Sequence, residues 1–123
     1  MLFRSELARH HGRLNDPVIR QKLSTAHTGL QLMKWNALRS MLAKGVPGPE
    51  ASISKLFWGT WHRDLGELMI EIMGPHGLIG ESLPYELSLE QKLFLFTRSD
   101  TIYGGSNEIQ RNVLGERVLG LPK

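Results

Sequence analysis

The feature that most constrains this fold is one long amphipathic segment, residues 16–45. Asp16 offers a side-chain oxygen that suits a helix N-cap, Pro17 suits the first helical position, and Gly45 suits the left-handed residue after the last turn. Apolar residues recur between these ends at steps of four and three, which keeps one stripe facing a neighbour: Ile19, Leu23, Ala26, Leu30, Met33, Ala37 and Met41. A helix of roughly 40 Å needs long helical neighbours to bury such a stripe.

A second long helix is predicted from residue 49 to Met73, where Gly74 and Pro75 end it. Its apolar stripe has the same spacing and comprises Ile53, Phe57, Trp61, Leu65, Leu68 and Ile72. Residues 74–87 contain three glycines and two prolines, and we expect them to form an ordered loop.

Two shorter helices are predicted after this loop. Ser88 and Gln91 have the three-residue separation of a capping box, and we expect the helix that they open to end near Tyr103. Ser106 suits the N-cap of a last helix, which Gly120 and a following proline close.

These elements predict an all-α, up-and-down four-helix bundle, with a further short helix over residues 2–11. Leucine occurs 20 times and valine four times, an excess of a helix-favouring residue over a β-branched one. Residues 1–44 carry eight Lys or Arg and two acidic residues, whereas residues 45–90 carry two and seven. The first segment is therefore basic and the second acidic, which favours docking of the two within the bundle or between subunits.

Composition excludes several classes of function. The 123 residues are the size of one domain, and an apolar content of 41% is enough for a core. The chain has no cysteine, which excludes disulfides and thiolate metal sites and favours the cytoplasm. No apolar run reaches the roughly 20 residues of a membrane span, and we expect neither membrane association nor export. The net charge of +3 comes without a recognition motif, so we expect no nucleic-acid binding.

Isolated side chains indicate no chemistry. The five histidines include no His-x-x-x-His pair, so no metal site is expected. His27 and His62 are interpreted as surface or interface residues of the long helices. No nucleophile elbow, Walker loop or dinucleotide fingerprint occurs.

One segment, Thr101–Asn112, combines a pair of glycines with a capped helix start. Gly104 and Gly105 let a ligand approach the backbone closely, and N–H groups at the helix start suit a phosphate or a carbonyl oxygen. The alternative interpretation is a helix–helix corner in which the glycines only permit the turn.

Thr101–Pro122 closely resembles the C-terminal signature of the flavin-dependent acyl-CoA dehydrogenases, especially their actinobacterial branches. Asp16–Leu23 is similar to the start of the first long helix of that family's C-terminal bundle, Ala51–Trp58 to the next helix, and Glu71–Gly77 to a glycine turn that contacts flavin. The resemblance implies that residues 1–123 are the C-terminal helical domain, the last third of such an enzyme, without its N-terminal helical domain and middle β-domain.

The family removes an α-proton from an acyl-CoA thioester with a carboxylate while a hydride passes to FAD. Many members keep the glutamate base directly after the residue that matches Tyr103, where this chain has Gly104. The resemblance therefore assigns no catalytic residue here: the base is in sequence outside this chain, in a partner subunit, or absent. It also implies that the backbone of Tyr103 and Gly104 lies near the thioester carbonyl, where N–H donors stabilise developing negative charge.

Five residues are implied by the resemblance to contact FAD. Ser106 and Glu108 match a pair that contacts its ADP part. Glu71, Gly74 and Pro75 match the turn that reaches the adenine end of a neighbouring subunit's flavin, although Glu71 replaces the usual glutamine and Pro75 the usual second glycine.

Two functional hypotheses follow. The first is the C-terminal domain of an FAD-dependent acyl-CoA dehydrogenase, which contributes flavin and subunit contacts within a homo- or hetero-oligomer and is inactive alone. The second is a non-catalytic helical assembly module that pairs with a dehydrogenase subunit or with itself. Surfaces that partners would cover are then expected to be open, including some of Phe57, Trp58, Trp61 and Phe94.

Overall fold

The computed structural model describes residues 2–42, 51–80 and 86–122, and it contains no strand within those ranges. This described part of the chain forms five α-helices and two short 3-10 helices. The α-helices are α1 (Leu2–His10), α2 (Pro17–Leu42), α3 (Ala51–Met73), α4 (Leu89–Phe96) and α5 (Asn107–Arg117), and the 3-10 helices are Gly74–Leu78 and Ser99–Thr101. The predicted all-α class and the short first helix are confirmed.

Helices α2 and α3 lie antiparallel, as predicted. Lys22 pairs with Glu71, the Trp61 indole donates to the carbonyl of Ala26, and the Asn36 amide donates to Ser54, so residue numbers rise on one helix as they fall on the other. The predicted N-cap of α2 is confirmed, because Asp16 Oδ1 accepts from the backbone N–H of the second and third residues after it, at 2.9 and 3.3 Å. The predicted end of α2 at Gly45 lies outside the described residues.

Helix α3 is the central element and contacts every other helix of the fold. The core lies where its C-terminal half meets α1 and the start of α2, and it comprises Ala8, Ile19, Leu68 and Ile72 with Leu7, Leu14, Leu23 and Ala26 packed against them. The predicted stripe of α3 is confirmed in this half by the buried Leu65, Leu68 and Ile72. It is wrong at Ile53 and Phe57, which are exposed because none of the described residues covers the far end of the helix pair.

The capping box that opens α4 is confirmed, since Ser88 and Gln91 bond each other's backbone N–H groups. The side chain of Gln91 also donates to the carbonyls of Gly77 and Ile79, which orders the first part of the predicted loop. The expected end of α4 near Tyr103 is wrong, because the helix ends at Phe96 and the chain tightens into the 3-10 turn Ser99–Thr101.

Helix α5 begins after the predicted N-cap, where Ser106 Oγ accepts from the N–H of Ile109 at 3.4 Å. It ends at Arg117, before the predicted stop, and Gly120 then adopts a left-handed conformation with φ of 67°. Across the described ranges, none of the helices combines the length and apolar character needed to cross a membrane.

Candidate functional site

The predicted glycine turn lies between the second 3-10 helix and α5. Gly104 and Gly105 have φ angles of 66° and 92°, in the left-handed region where a side chain would be strained. The side-chain amide of Gln110 donates to the carbonyl of Gly104 at 2.9 Å and closes the turn onto α5. The structure therefore brings together Tyr103, Gly104, Ser106 and Glu108, four of the predicted site residues, around one exposed stretch of backbone.

Asp100 anchors this turn to α3, and sequence reasoning did not single it out. Its carboxylate is fully buried and lies 2.6 Å from His62 Nδ1, while the hydroxyl of Tyr103 donates to its other oxygen at 2.7 Å. The ammonium of Lys55 donates to the backbone carbonyl of Asp100 at 3.0 Å. Of the two interpretations of His62, a surface or an interface residue, the first is wrong, because its side chain is only 13% exposed and lies where α3 contacts Asp100.

Two glycines on α3 allow this close approach. A Cβ atom at Gly59 would lie 2.8 Å from the carbonyl oxygen of Asp100, and one at Gly66 would lie 2.7 Å from Thr97 Oγ1. Gly59 and Gly66 are seven residues apart, with Lys55 and His62 on the same side of the helix. This spacing of small and polar residues on one side of α3 is the sequence signal from which the contact of α3 with Thr97 and Asp100 could have been predicted.

The contacts of the turn shift the pKa values of its two ionisable groups, Tyr103 and Glu108, in opposite directions. Donation to the Asp100 carboxylate raises the pKa of Tyr103 above its ordinary value. The pKa of Glu108 is lowered by a hydrogen bond from its own backbone N–H and by the Ser106 hydroxyl, so this carboxylate is ionised at neutral pH. Glu108 is 76% exposed, and one of its oxygens lies 3.7 Å from the guanidinium of Arg111 one turn further along α5.

No described carboxylate replaces the glutamate that the family pattern would have at Gly104. Both oxygens of Asp100 are engaged inside the protein, and neither is open to a ligand at the turn. The group nearest to a Cβ atom at Gly104 would be Lys55 Cε, at 3.9 Å. The turn thus offers backbone groups, a cation and the Glu108 carboxylate, without a base placed at the position of the missing side chain.

The other predicted contacts, Glu71, Gly74 and Pro75, lie at the opposite end of α3. The 15 residues from Gly59 to Gly74 correspond to about 22 Å along the helix, so the structure does not bring the two groups together. Gly74 is left-handed with φ of 59° and Pro75 is exposed. Glu71 is engaged by Lys22, whose ammonium lies 2.7 and 2.6 Å from its two oxygens.

A cleft of about 930 Å³ lies beside Gly74, between α1, the end of α3 and α4. His10, His11 and His76 line it together with Glu90, a combination that sequence reasoning did not assign. The rings of His10 and His11 are 5.0 Å apart and those of His11 and His76 are 6.1 Å apart. The described residues contain no group of three or more side chains placed to hold a metal ion.

The far end of the α2–α3 pair exposes eight large apolar side chains, which we call the apolar end: Leu32, Trp35, Leu38, Met41, Leu42, Ile53, Phe57 and Trp58. The expected exposure is confirmed for Phe57 and Trp58, which are 38% and 39% exposed, whereas Trp61 and Phe94 are partly buried. A groove of about 560 Å³ runs between the two helices here.

These features define a class of protein: a helical domain that presents two exposed glycine turns and an open apolar end, without a complete set of reactive side chains in its described residues. The chain belongs to the acyl-CoA dehydrogenase family, since residues 7–119 match the family's C-terminal domain. The resemblance inferred from the sequence is thereby confirmed.

Relatives of known name agree with this assignment. The chain is 50% identical over 120 residues to acyl-CoA dehydrogenase IpdE1 of Mycobacterium tuberculosis, covering 96% of this chain and 30% of that protein. It is also 50% identical over 118 residues to IpdE1 of Mycolicibacterium smegmatis, covering 96% of this chain and 29% of that protein. The chain therefore spans about a third of the length of the curated relatives that it matches.

Solved structures show the same fold. The steroid acyl-CoA dehydrogenase Tcur3481–Tcur3483 matches with a TM-score of 0.79 at 24% identity, over 98% of this chain and 34% of the matched chain. The ChsE4–ChsE5 complex of Mycobacterium tuberculosis matches with a TM-score of 0.74 at 22% identity, over 89% of this chain and 29% of the matched chain.

Proposed function

We propose that this chain forms part of the flavin and subunit contacts of an FAD-dependent acyl-CoA dehydrogenase and does not oxidise acyl-CoA thioesters alone. The observation that carries the proposal is the turn at Tyr103–Ser106, which combines left-handed glycines with a capped helix start and has no carboxylate at Gly104. Backbone donors at such a turn suit the negative charge that a thioester oxygen gains as its α-proton leaves. The base comes from outside the described residues.

The residues around the turn fit a flavin nucleotide. Glu108 is ionised and exposed, which suits acceptance of hydrogen bonds from ribose hydroxyls, and Ser106 lies directly before it. FAD, when bound, supplies the acceptor for the hydride. Gly74 and Pro75 would approach the adenine end of a neighbouring subunit's flavin. The turn at Tyr103–Ser106 is held beside Gly59, 15 positions along the chain from Gly74, and this separation agrees with contacts to two different flavins. Glu71 fits less well, because Lys22 already holds its carboxylate.

A flavin-bleaching experiment tests this proposal. The purified chain is mixed with FAD and a panel of acyl-CoA thioesters, and the flavin absorbance is followed without oxygen. We expect no bleaching by the chain alone, because its described residues place no base at the turn, and bleaching once the remaining domains or a partner dehydrogenase subunit is added. Bleaching by the chain alone would contradict the claim of incompetence. Gly104→Ala should destabilise the turn by about 1 kcal/mol, because a side chain is disfavoured at a φ of 66°.

The apolar end favours a second candidate, a non-catalytic assembly module. Eight large apolar side chains at one end of two helices form a surface of the kind that partner subunits cover. Both similar structures carry the names of two chains, ChsE4–ChsE5 and Tcur3481–Tcur3483, and this supports a role in pairing with another subunit. The assembly module differs from the flavin-contacting domain because it requires the chain to associate tightly in the absence of FAD. A cytoplasmic location, expected from the lack of cysteine, is part of both proposals.

A further inference from the structure

We infer that three histidines beside the end of α1, namely His10, His11 and His76, make the docking of α1 sensitive to acid. At neutral pH the uncharged rings pack together and α1 is held against the end of α3. As the pH falls, the rings gain charge, repel one another and release the helix. This conformational device goes beyond the proposed function and does not depend on it.

Helix α1 is held to the rest of the domain by a small apolar contact. Ala8 is fully buried against Ile19, Leu68 and Ile72, and Leu7 packs beside it. Among the side chains that the structure describes, none on α1 forms a hydrogen bond or an ion pair with another helix. Because this contact competes with the conformational entropy that the segment gains on release, a modest repulsion is enough to shift the balance.

Docking of α1 brings together three imidazole rings from two parts of the chain. His10 ends α1 and His11 follows it, whereas His76 belongs to the 3-10 turn after α3. The ring centroids of His10 and His11 are 5.0 Å apart, and those of His11 and His76 are 6.1 Å apart. His11 is half-buried between the two exposed rings. Release of α1 separates the ring of His76 from the other two, so positive charge on the rings opposes docking directly.

The other charged groups around His11 offset this repulsion only in part. Arg13, on the loop after α1, lines the same cleft, and its guanidinium is held by Asp16 at 3.2 and 2.8 Å. The side chains that α3 contributes to the cleft are apolar, and α4 contributes Glu90, the single carboxylate among the described residues that line it. Protonation of more than one ring therefore leaves an excess of positive charge in the cleft.

The ionisation of His11 determines the direction of the pH effect. Burial lowers the pKa of His11, His10 and His76 lower it further, and Glu90 acts in the opposite direction. The docked state therefore takes up a proton on His11 less readily than the released state. The stability that docking provides is complete above the ordinary histidine pKa of about 6.5, and it is lost as the pH falls from there towards the lowered value.

The test is amide hydrogen exchange of the full 123-residue chain, measured by NMR and corrected for the intrinsic exchange rate at each pH. The amides of His11 and Arg13 report on α1, because they donate to the carbonyls of Leu7 and Ala8 at 3.0 and 2.7 Å. We expect their protection to fall roughly threefold to tenfold between about pH 7.5 and about pH 5, since each unit of difference between the two pKa values changes the equilibrium by up to tenfold. The protection of α3 should not change.

Matched variants assign the effect to the histidine cluster. His11→Gln should keep α1 protected at the lower pH, and His76→Gln should make the loss of protection smaller. Glu90→Gln should make the loss larger, because the carboxylate that favours the proton on docked His11 is gone. His27→Gln, on α2 outside the cleft, should leave the loss as it is in the unaltered chain. If His11→Gln fails to fold, His76→Gln on the exposed turn provides the same comparison.

Equal protection of the α1 amides at both pH values would overturn the inference. A loss in both His11→Gln and His76→Gln that matches the unaltered chain would overturn it as well, because acid would then act on other groups. A parallel loss of protection across α1 and α3 would also contradict it, since that result indicates unfolding of the whole domain rather than release of one helix.

Discussion

At the scale of single residues, Asp100 determines how the glycine turn is held. The whole residue is 1% exposed, and a carboxylate removed from water to this degree must have its oxygens satisfied by donors. His62 and Tyr103 provide them, one from the central helix and one from the turn itself. The position of the Tyr103–Ser106 backbone, and hence of any ligand that contacts it, therefore depends on a residue that no ligand touches.

Tyr103 reports on this arrangement through its ionisation. Donation to Asp100 raises the pKa of Tyr103, so the bond stabilises the fold below about pH 10 and this contribution is lost as the pH rises through the raised value. Tyrosinate absorbance measures this, and we expect the part of the signal that is lost in Tyr103→Phe to rise at a pH above the ordinary pKa of tyrosine. Asp100→Asn should lower the pH at which Tyr103 ionises, because the charge that holds the proton is removed.

The control for this titration is Asp64→Asn, at an exposed carboxylate that is bonded to the neighbouring Arg63. It should leave the ionisation of Tyr103 unchanged. A Tyr103 signal that rises at the same pH in Asp100→Asn as in the unaltered chain would contradict the assigned hydrogen bond.

At the scale of elements, α3 is shaped on one side to accept the connection between α4 and α5. Its glycines at 59 and 66 remove the side chains that would keep Asp100 and Thr97 away. Glycine in a helix costs about 1 kcal/mol relative to alanine, so these positions sacrifice local helix stability for close packing. The turn that carries the candidate site is thus built on the central helix as much as on its own sequence.

Gly59→Ala should destabilise the fold by about 1–3 kcal/mol, because the new methyl group would lie 2.8 Å from a backbone oxygen that cannot move without disturbing Asp100. Gly115→Ala is the matched control on α5. A Cβ atom there meets only Leu121 Cδ1 at 3.7 Å, so the substitution should stabilise the fold by up to about 1 kcal/mol through helix propensity. Urea unfolding of both variants measures the difference, and an equal response would show that the contact at Gly59 is loose.

The parts of the fold that could be predicted from the sequence are those fixed by neighbouring residues. The caps at Asp16, Ser88 and Ser106 are local hydrogen bonds within three residues, and each occurs as predicted. The end of α4 was predicted wrongly because it depends on a contact between residues 38 apart, that of Asp100 with His62. The three-histidine cleft escaped prediction for the same reason, since no sequence spacing places His76 beside His11.

At the scale of the whole molecule, burial is distributed unevenly along the α2–α3 pair. The C-terminal half of α3 is packed against α1, α2 and α4, whereas the apolar end is exposed, with Trp35 at 61% and Met41 at 81%. Monomeric proteins seldom expose such contiguous apolar surfaces, and the usual reason is a partner that covers them.

The apolar end predicts self-association of the isolated chain, which size-exclusion chromatography with light scattering can measure against the 13.9 kDa monomer. The paired variant Trp35→Glu with Met41→Glu should shift the mass towards the monomer, because charges at exposed apolar positions oppose burial between copies while removing few internal contacts. The thermal midpoint should change little. Arg20→Glu, at an exposed position near the other end of the same helix, controls for added negative charge and should leave the mass unchanged. A monomer at every concentration, before any substitution, would reject the assembly module, and a mass that increases only with FAD would favour the flavin-contacting domain instead.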